Sequence, residues 1–288
     1  MTEYAHPEAL VSTEWLAKHL DDPAVRVLEV DWDPAAAYEL GHVRGAALVD
    51  WKRDINDTVR RDILSKEQFE ALLGRLGVTP ETTLVLYGDM RNWFAAFAFW
   101  TFKIYGHDDV RLLNGGRRKW FDEGHPVSEE VPSFSPTQYR ADEPNLTLRQ
   151  FLTGVREILG RGDHALVDVR SPAEFNGEIS APPEYQNEGA QRAGHIPGAA
   201  NIPWAQAANE DGTFKSADAL RQLYESKGVT GKGEVIAYCR IGERSSHTWF
   251  VLKYLLGYDN VKNYDGSWTE WGNLIGAPIE KETAAAAR

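Results

Sequence analysis

The sequence predicts an α/β protein in which one fold occurs twice along the chain. Short apolar runs alternate with segments whose apolar residues recur at helical spacing, which indicates a mainly parallel sheet flanked by helices. Several motifs of the first half reappear, in the same order, in the second half. The only cysteine of the chain follows one of the predicted strands, and this position directs attention to a single functional site.

The duplication rests on four ordered matches between the two halves. They are the strands 27–31 and 166–170, GHVRGAALVDW (41–51) and GHIPGAANIPW (194–204), LVLYGD (84–89) and VIAYCR (235–240), and YGHDDVRLLNGGRRKW (105–120) and LGYDNVKNYDGSWTEW (256–271). The last two pairs share an offset of 151 residues. The order and spacing predict two copies of one domain. His42 and His195 belong to the repeated Gly-His turns and are predicted to be structural.

The chain is predicted to divide at a proline-rich stretch. Residues 125–146 contain four prolines, mixed charge and little periodicity, which is typical of a linker. We therefore predict a first domain over residues 1–124, a linker over 125–146 and a second domain over 147–288. Residues 176–192 form an insertion that the first copy lacks.

Local patterns predict the individual elements of each copy. In the first copy they predict helices at 13–20, 66–77 and 92–106 and strands at 25–32, 47–51, 82–88 and 110–116. The second copy is predicted to open with a helix at 148–162. Ser171, Pro172 and Glu174 then form a capping box with proline at the first helical position. Arg170 is predicted to pair with an acid at the end of the strand that precedes this box.

Composition excludes several classes of function. The chain has 288 residues, of which 42% are hydrophobic and 26% charged, and its net charge of −12 disfavours nucleic acid as a partner. No apolar run is long enough for a membrane span, and the N-terminus lacks the pattern of a signal peptide. A single cysteine excludes an internal disulfide framework. We therefore expect a cytoplasmic protein without a metal or a cofactor.

The candidate site surrounds Cys239. Val235 to Tyr238 form a buried strand, and apolar residues recur at helical spacing from Ser246 onward, so the six residues 240–245 are predicted to form a loop. Backbone N–H groups of such a loop, with the start of the helix, attract anions, and Arg240 and Arg244 add positive charge. A loop of this kind is expected to lower the pKa of the thiol from about 8.5 to roughly 6.5, which would make it a nucleophile rather than a small buried hydrophobe.

CRIGERS (239–245), with SHTWF (246–250), resembles the active-site loop of two-domain rhodaneses, the thiosulfate sulfurtransferases, and most closely that of the actinobacterial type. The resemblance covers nearly the whole chain. It implies two tandem rhodanese-like domains and a reaction in which Cys239 accepts a sulfane sulfur from thiosulfate, carries it as a persulfide and passes it to cyanide or another thiophilic acceptor. Arg244 and Arg240 are the candidates to bind the sulfonate of the donor, since guanidinium suits bidentate contact with oxyanions.

The equivalent loop of the first copy lacks this chemistry. At the offset of 151 residues, Gly88 replaces the cysteine, Asp89 replaces Arg240, and Trp93 replaces Arg244. We therefore predict that the first domain is catalytically inactive and the second is catalytic.

Three alternatives stand beside this interpretation. Cysteine phosphatases place five residues between cysteine and arginine, whereas four separate Cys239 from Arg244, so the spacing favours sulfur transfer. A 3-mercaptopyruvate sulfurtransferase usually has the loop Cys-Gly-Ser-Gly, in place of which this chain has Arg240 and Ile241. The third alternative is a non-catalytic persulfide carrier that serves another protein.

Mammalian rhodaneses carry a lysine at the position of Ile241, which leaves binding of the donor to the arginines.

Overall fold

The computed structural model describes residues 3–182 and 189–281. These residues divide into two compact units. The N-terminal unit comprises His6–Leu146 and Ala208–Phe214, and the C-terminal unit comprises the described residues of Met1–Ala5, Thr147–Ala207 and Lys215–Arg288. Each unit has a parallel sheet with helices around it, so the predicted fold class is confirmed.

The N-terminal unit contains a sheet of five parallel strands in the order β1-β6-β5-β2-β4. The strands are β1 (Leu10–Val11), β2 (Val25–Asp31), β4 (Ala47–Asp50), β5 (Thr83–Tyr87) and β6 (Val110–Leu113), and a separate antiparallel pair joins β3 (His42–Val43) to β7 (Val127–Ser128). The helices are α1 (Thr13–His19), α2 (Trp51–Asp54), α3 (Lys66–Arg75), α4 (Asp89–Ile104) and α5 (Gly116–Asp122). These bounds agree closely with the predicted elements of the first copy.

The C-terminal unit repeats this plan with a shorter sheet in the order β11-β10-β8-β9. Its strands are β8 (His164–Asp168), β9 (Ala200–Asn201), β10 (Glu234–Tyr238) and β11 (Val261–Tyr264), and its helices are α6 (Leu152–Ile158), α7 (Pro172–Phe175), α8 (Ala217–Glu225), α9 (Glu243–Phe250) and α10 (Ser267–Trp271). Helix α9 continues as a π-helix over Val251–Leu255. The helix predicted at 148–162 is shorter than expected, and part of the 176–192 insertion lies outside the described residues.

Matching hydrogen bonds show that the two units are copies of one fold. The strand order β11-β10-β8-β9 corresponds to β6-β5-β2-β4. The phenolic oxygen of Tyr87 accepts a hydrogen bond from the Val43 N–H at 2.8 Å, and Tyr238 accepts one from the Ile196 N–H at 3.1 Å. Both tyrosines end the central strand that precedes the loop of interest, so the duplication extends to the framework of the site.

The repeated Gly-His turns also have the same construction. The ring of His42 stacks on Tyr38 with centroids 3.7 Å apart, and the ring of His195 stacks on Phe175 at 3.6 Å. In each turn Nδ1 of the histidine lies within hydrogen-bond distance of the carbonyl oxygen of the stacked residue. Both histidines are buried, which confirms the prediction that they are structural.

Residues 125–146, predicted to be a linker, lie within the N-terminal unit. Strand β7 pairs with β3, and the Thr137 N–H donates to the Gly74 carbonyl at 2.9 Å. Further along, Tyr139 contacts the buried His107 at 2.8 Å. The proline content suppresses regular structure, but the segment still packs on its own unit through these contacts. Within the described ranges, no helix is both long enough and apolar enough to cross a membrane.

Candidate active site

The predicted strand ends as expected, but the helix that follows begins earlier than the sequence indicates. Strand β10 ends at Tyr238, the loop covers Cys239–Gly242, and α9 begins at Glu243 rather than at Ser246. The polar side chains of the first turn of α9 are buried, so hydrophobic periodicity did not reveal that turn. Arg244 therefore lies in a helix and not in the loop.

Gly242 gives the loop its shape. It lies in the left-handed region with φ of 104°, and a Cβ atom at this position would come within 2.8 Å of the Cβ of Asp265. Both conditions require glycine. The N–H of Gly242 donates a hydrogen bond to Sγ of Cys239 at 3.1 Å. The predicted inward direction of a backbone donor is thus confirmed at Gly242.

The thiol of Cys239 is fully buried, with 0% of the residue exposed. It donates to Oε2 of Glu243 at 3.3 Å, and Oγ of Ser245 lies 3.6 Å from the sulfur. The backbone N–H of Cys239 donates to Oγ of Ser267 at 3.0 Å, which connects the loop to the turn after β11. The sulfur therefore accepts one hydrogen bond from the backbone and donates one to a carboxylate.

These surroundings change the predicted ionisation of Cys239. Burial raises the pKa of the thiol, and the neighbouring carboxylate of Glu243 raises it further; Arg244 and Ser245 lower it without offsetting these two causes. The prediction that the loop alone lowers the pKa of Cys239 is therefore wrong for the resting site. The reason is that the acid of the CRIGERS sequence lies beside the sulfur, closer than the sequence suggested.

Arg244 is held by an acid from a distant part of the sequence. Its Nη1 and Nη2 atoms donate to the two carboxylate oxygens of Glu174 at 2.9 and 3.0 Å, and both residues are buried. Burial alone would raise the pKa of Glu174, but the Arg244 guanidinium lowers it to about 2. Glu174 also forms the capping box with Ser171 that the sequence predicts. The bidentate fork of Arg244 is thus directed at Glu174.

Arg240 lies beside the Glu243 carboxylate, at the oxygen that does not contact the thiol. Its Nη2 is 3.5 Å from Oε1 of Glu243, and Nε of Arg244 is 3.6 Å from the same oxygen. Arg240 is only 2% exposed and Glu243 0%. The structure thus brings together the three residues predicted for the site, Cys239, Arg240 and Arg244, around one carboxylate.

Arg170 is structural, as predicted. Its Nη2 donates to Oδ2 of Asp168 at 2.6 Å and to the Gly194 carbonyl at 2.7 Å, and Arg170 and Asp168 are both fully buried. This ion pair connects the end of β8 with the second Gly-His turn.

Sequence reasoning missed three features of the site. In the sequence Glu243 is only one acid among the charges after Cys239, and its position four residues after the cysteine becomes significant once α9 is known to begin there. The pairing of Glu174 with Arg244 joins residues 70 positions apart and has no local signal. Ser267 supports the loop from a left-handed conformation with φ of 52°, which sequence patterns did not indicate.

The corresponding loop of the N-terminal unit is built differently. The backbone at Gly88 approaches β2 so closely that a Cβ atom would lie 2.3 Å from the Val30 carbonyl oxygen. The next residues, Met90, Arg91 and Asn92, all have positive φ angles between 47° and 66°. The loop therefore excludes a side chain at the very position that Cys239 occupies in the other unit.

Comparison with known proteins agrees with this geometry. The model of the rhodanese-like domain matches the chain twice, over residues 12–123 and 152–274. This chain belongs to the rhodanese family. The predicted resemblance and the two rhodanese-like domains are thereby confirmed, and the predicted enzyme class, sulfurtransferase, agrees with the family and with the names of relatives.

Two curated relatives span nearly the whole chain. The "Sulfur carrier protein TtuD" of Thermus thermophilus is 59% identical, with 96% of this chain and 98% of the relative covered. A "Putative thiosulfate sulfurtransferase" of Haloferax volcanii is 54% identical, with 97% and 98% covered.

Two solved structures are also similar. The crystal structure of YnjE has a TM-score of 0.86 at 28% identity and covers 98% of this chain and 70% of its own. The anaerobic ergothioneine biosynthesis enzyme from Chlorobium limicola has a TM-score of 0.85 at 27% identity, with 98% and 72% covered.

Proposed function

We propose that this rhodanese transfers the sulfane sulfur of thiosulfate to a thiophilic acceptor, such as cyanide or a thiol, through a persulfide on Cys239. The observation that carries the proposal is the position of the only cysteine. It follows a buried parallel strand, and its sulfur receives the N–H of Gly242 at the start of a helix. Ligand sites of parallel α/β sheets lie at this end of the strands.

The chemistry follows from the contacts of the sulfur. The Cys239 thiolate attacks the outer sulfur of thiosulfate, a new sulfur–sulfur bond forms, and the bond to the sulfonate group breaks so that sulfite leaves with the electron pair. The backbone N–H groups of Gly242 and Ser245 are placed to stabilise negative charge on the sulfur. The acceptor then attacks the outer sulfur of the persulfide and regenerates the thiolate.

The two arginines are proposed to have different roles in binding of the donor. Arg240 is the candidate to contact the sulfonate of thiosulfate, because its guanidinium borders the carboxylate that touches the sulfur. Arg244, whose fork binds Glu174, is proposed to supply a fixed positive charge next to the site. Because Ile241 stands where mammalian rhodaneses have lysine, binding of thiosulfate depends on Arg240 and Arg244.

The division of labour between the domains is also part of the proposal. We assign catalysis to the domain over residues 147–288 and an inactive role to the domain over 1–124, joined through residues 125–146. The close approach of Gly88 to the Val30 carbonyl supports this assignment, because it leaves no room for a cysteine. A reduced thiol is required for the reaction, and we accordingly propose a cytoplasmic location.

Steady-state turnover with thiosulfate and cyanide tests the proposal. Purified protein should form thiocyanate catalytically, and Cys239→Ser should form none. Wild-type protein that stays inactive with thiosulfate but turns over 3-mercaptopyruvate would establish the other sulfurtransferase instead.

A persulfide carrier is the second candidate, and one comparison favours it. The relative named "Sulfur carrier protein TtuD" is 59% identical to this chain over nearly its full length. The complete burial of Cys239 also suits a persulfide that is protected until a partner protein removes it. A carrier would accept one sulfur per molecule from a donor and show no turnover with cyanide. The enzyme would accept the sulfur and also form thiocyanate over many cycles.

A further inference from the structure

The carboxylate of Glu243 is the acid that the thiol of Cys239 contacts in the described residues of the C-terminal unit. Its Oε2 accepts the hydrogen bond of the Cys239 thiol at 3.3 Å. Its Oε1 lies 3.5 Å from Nη2 of Arg240 and 3.6 Å from Nε of Arg244. Because the residue is 0% exposed, the thiol donates to a buried carboxylate that two guanidinium groups hold in place.

Burial creates a problem that this carboxylate can solve. A thiolate formed by loss of a proton to water would add a negative charge to a buried site that already contains Glu243 and must receive the dianion thiosulfate. Transfer of the proton from Sγ to Oε2 instead forms the nucleophile without any change in the net charge of the site. The guanidinium groups of Arg240 and Arg244 then face the new thiolate and a neutral carboxyl group.

We propose that Glu243 is a catalytic residue, the base that accepts the thiol proton of Cys239 when the donor is attacked and returns it when sulfur leaves. The proposal deepens the proposed sulfur transfer and rests on it. In the first step the S–H bond breaks, the proton moves to Glu243, and the thiolate displaces sulfite from the outer sulfur of thiosulfate. In the second step the acceptor takes that sulfur, and the released thiolate recovers the proton from Glu243.

Protons and charges balance over the full cycle. Thiolate and thiosulfate carry three negative charges together, as do the persulfide anion and sulfite that they form. Cyanide and the persulfide anion together carry two negative charges, and so do thiocyanate and the regenerated thiolate. The proton remains on Glu243 between the two steps, where it can donate a hydrogen bond to the persulfide.

Other charged and titratable groups lie on elements packed against α9. In the described part of this unit they include Glu174, paired with Arg244; Asp265, paired with Arg149; His247 of α9; Tyr224 of α8, which contacts Thr248; Glu234 and Tyr238 of β10; Lys262 and Tyr264 of β11; and Lys253 and Tyr254 of the π-helix. The thiol itself donates to Glu243, and for this reason Glu243 is the base.

A simpler role for Glu243 predicts the opposite result in an experiment. If the carboxylate only repels the thiolate, its removal should speed up sulfur uptake, because Glu243 raises the pKa of Cys239. If it is the base, Glu243→Gln should slow uptake. Burial is the larger cause of the raised pKa, so the thiol of the glutamine variant remains mainly protonated near neutrality and has lost its proton acceptor.

The test is the rate of sulfur uptake from thiosulfate without an acceptor, followed by intact mass between pH 6 and pH 9. We expect Glu243→Gln to be about a hundredfold slower than the wild type at pH 7, the size typical of a lost general base. Its rate should rise about tenfold per pH unit as the thiol loses its proton to water, whereas the wild-type rate should change much less. Glu225→Gln, which removes the same charge from an exposed position of α8, should match the wild type.

Glu243→Asp is the second variant, because it keeps a base and withdraws it by one methylene group. It should be slower than the wild type and keep the wild-type pH dependence. If Glu243→Gln is folded and takes up sulfur as fast as the wild type or faster at pH 7, the inference is wrong. If the glutamine variant does not fold, the aspartate variant decides the question. An uptake rate of Glu243→Asp that rises about tenfold per pH unit would also show that the inference is wrong. Wild-type protein that takes up no sulfur would refute the proposed function itself, and the inference with it.

Discussion

The ion pair between Glu174 and Arg244 allows a quantitative prediction about the catalytic unit. Glu174→Gln keeps the size of the side chain but removes the charge that balances a buried guanidinium. Two contacts, at 2.9 and 3.0 Å, are affected, and the carboxylate is 1% exposed. Lowering the pKa of Glu174 from 4.5 to about 2 corresponds to about 3 kcal/mol in favour of the folded unit. Removal of one partner from a buried pair costs a similar amount, about 3–5 kcal/mol.

The only cysteine provides an assay that is specific to this unit. Cys239 is buried, so a brief pulse of a bulky maleimide, which is much larger than thiosulfate, modifies unfolded C-terminal units far faster than folded ones after equilibration in urea. A loss of about 3 kcal/mol should move the midpoint of labelling to lower urea by roughly 1–3 M, given slopes of about 1–3 kcal/mol per molar urea. Glu178→Gln, at an exposed position on the same unit, is the matched control and should leave the midpoint unchanged.

The pH dependence of the difference has a fixed sign. The folded pKa of Glu174 lies below its unfolded value, so the contribution is complete above about pH 4.5 and is lost as the pH falls towards 2. The gap between the wild type and Glu174→Gln should therefore be constant from pH 7 to 5 and shrink below pH 4.5. A variant whose midpoint does not differ measurably from that of the wild type would refute the reasoning that the pair stabilises the unit.

Three further predictions concern the arginine proposed for the donor and the loop of the N-terminal unit. Arg240→Ala should lower kcat/KM for thiosulfate by about ten- to a hundredfold, the loss of one charge-assisted contact; an unchanged value would remove Arg240 from the binding site. Gly88→Ala should destabilise the N-terminal unit by about 2 kcal/mol, because its Cβ would meet the Val30 carbonyl at 2.3 Å, and hydrogen exchange of β5 peptides would measure this; normal protection would contradict it. Burial and Asp31 raise the pKa of Asp89 to about 7, and burial likewise raises the pKa of Asp31 to about 6 and that of Glu29 to about 8, so the N-terminal unit should lose stability as the pH rises from about 4 to 8. Asp89→Asn should remove only the share that Asp89 contributes, while sulfur transfer stays within a few-fold.

Local patterns were sufficient to predict the framework of the site. The apolar run of β10 and the cysteine after it are visible in the sequence, since a buried parallel strand needs continuous apolar residues. The repeated motifs predicted the two sheets because both copies use the same tyrosine contacts at Tyr87 and Tyr238. The capping box at Ser171 was predictable because its residues are neighbours in sequence.

The electrostatics of the site depended on burial and on distant contacts, and could not be predicted in this way. The first turn of α9 carries buried polar residues, so its pattern resembles a loop and hides the approach of Glu243 to the thiol. The partner of Arg244 comes from α7, 70 residues earlier, where Glu174 already had a sufficient local explanation. The pKa of Cys239 therefore moves in the direction opposite to the one expected from the charges of the loop alone.

The most direct test of the central claim is the intact mass of the protein after incubation with thiosulfate and no acceptor. The account predicts that one sulfur, about 32 Da, is added to each molecule of wild-type protein, that cyanide removes it as thiocyanate, and that Cys239→Ser gains nothing. Persistence of the added mass in the Cys239→Ser protein, or its absence from the folded wild type, would contradict a persulfide on Cys239.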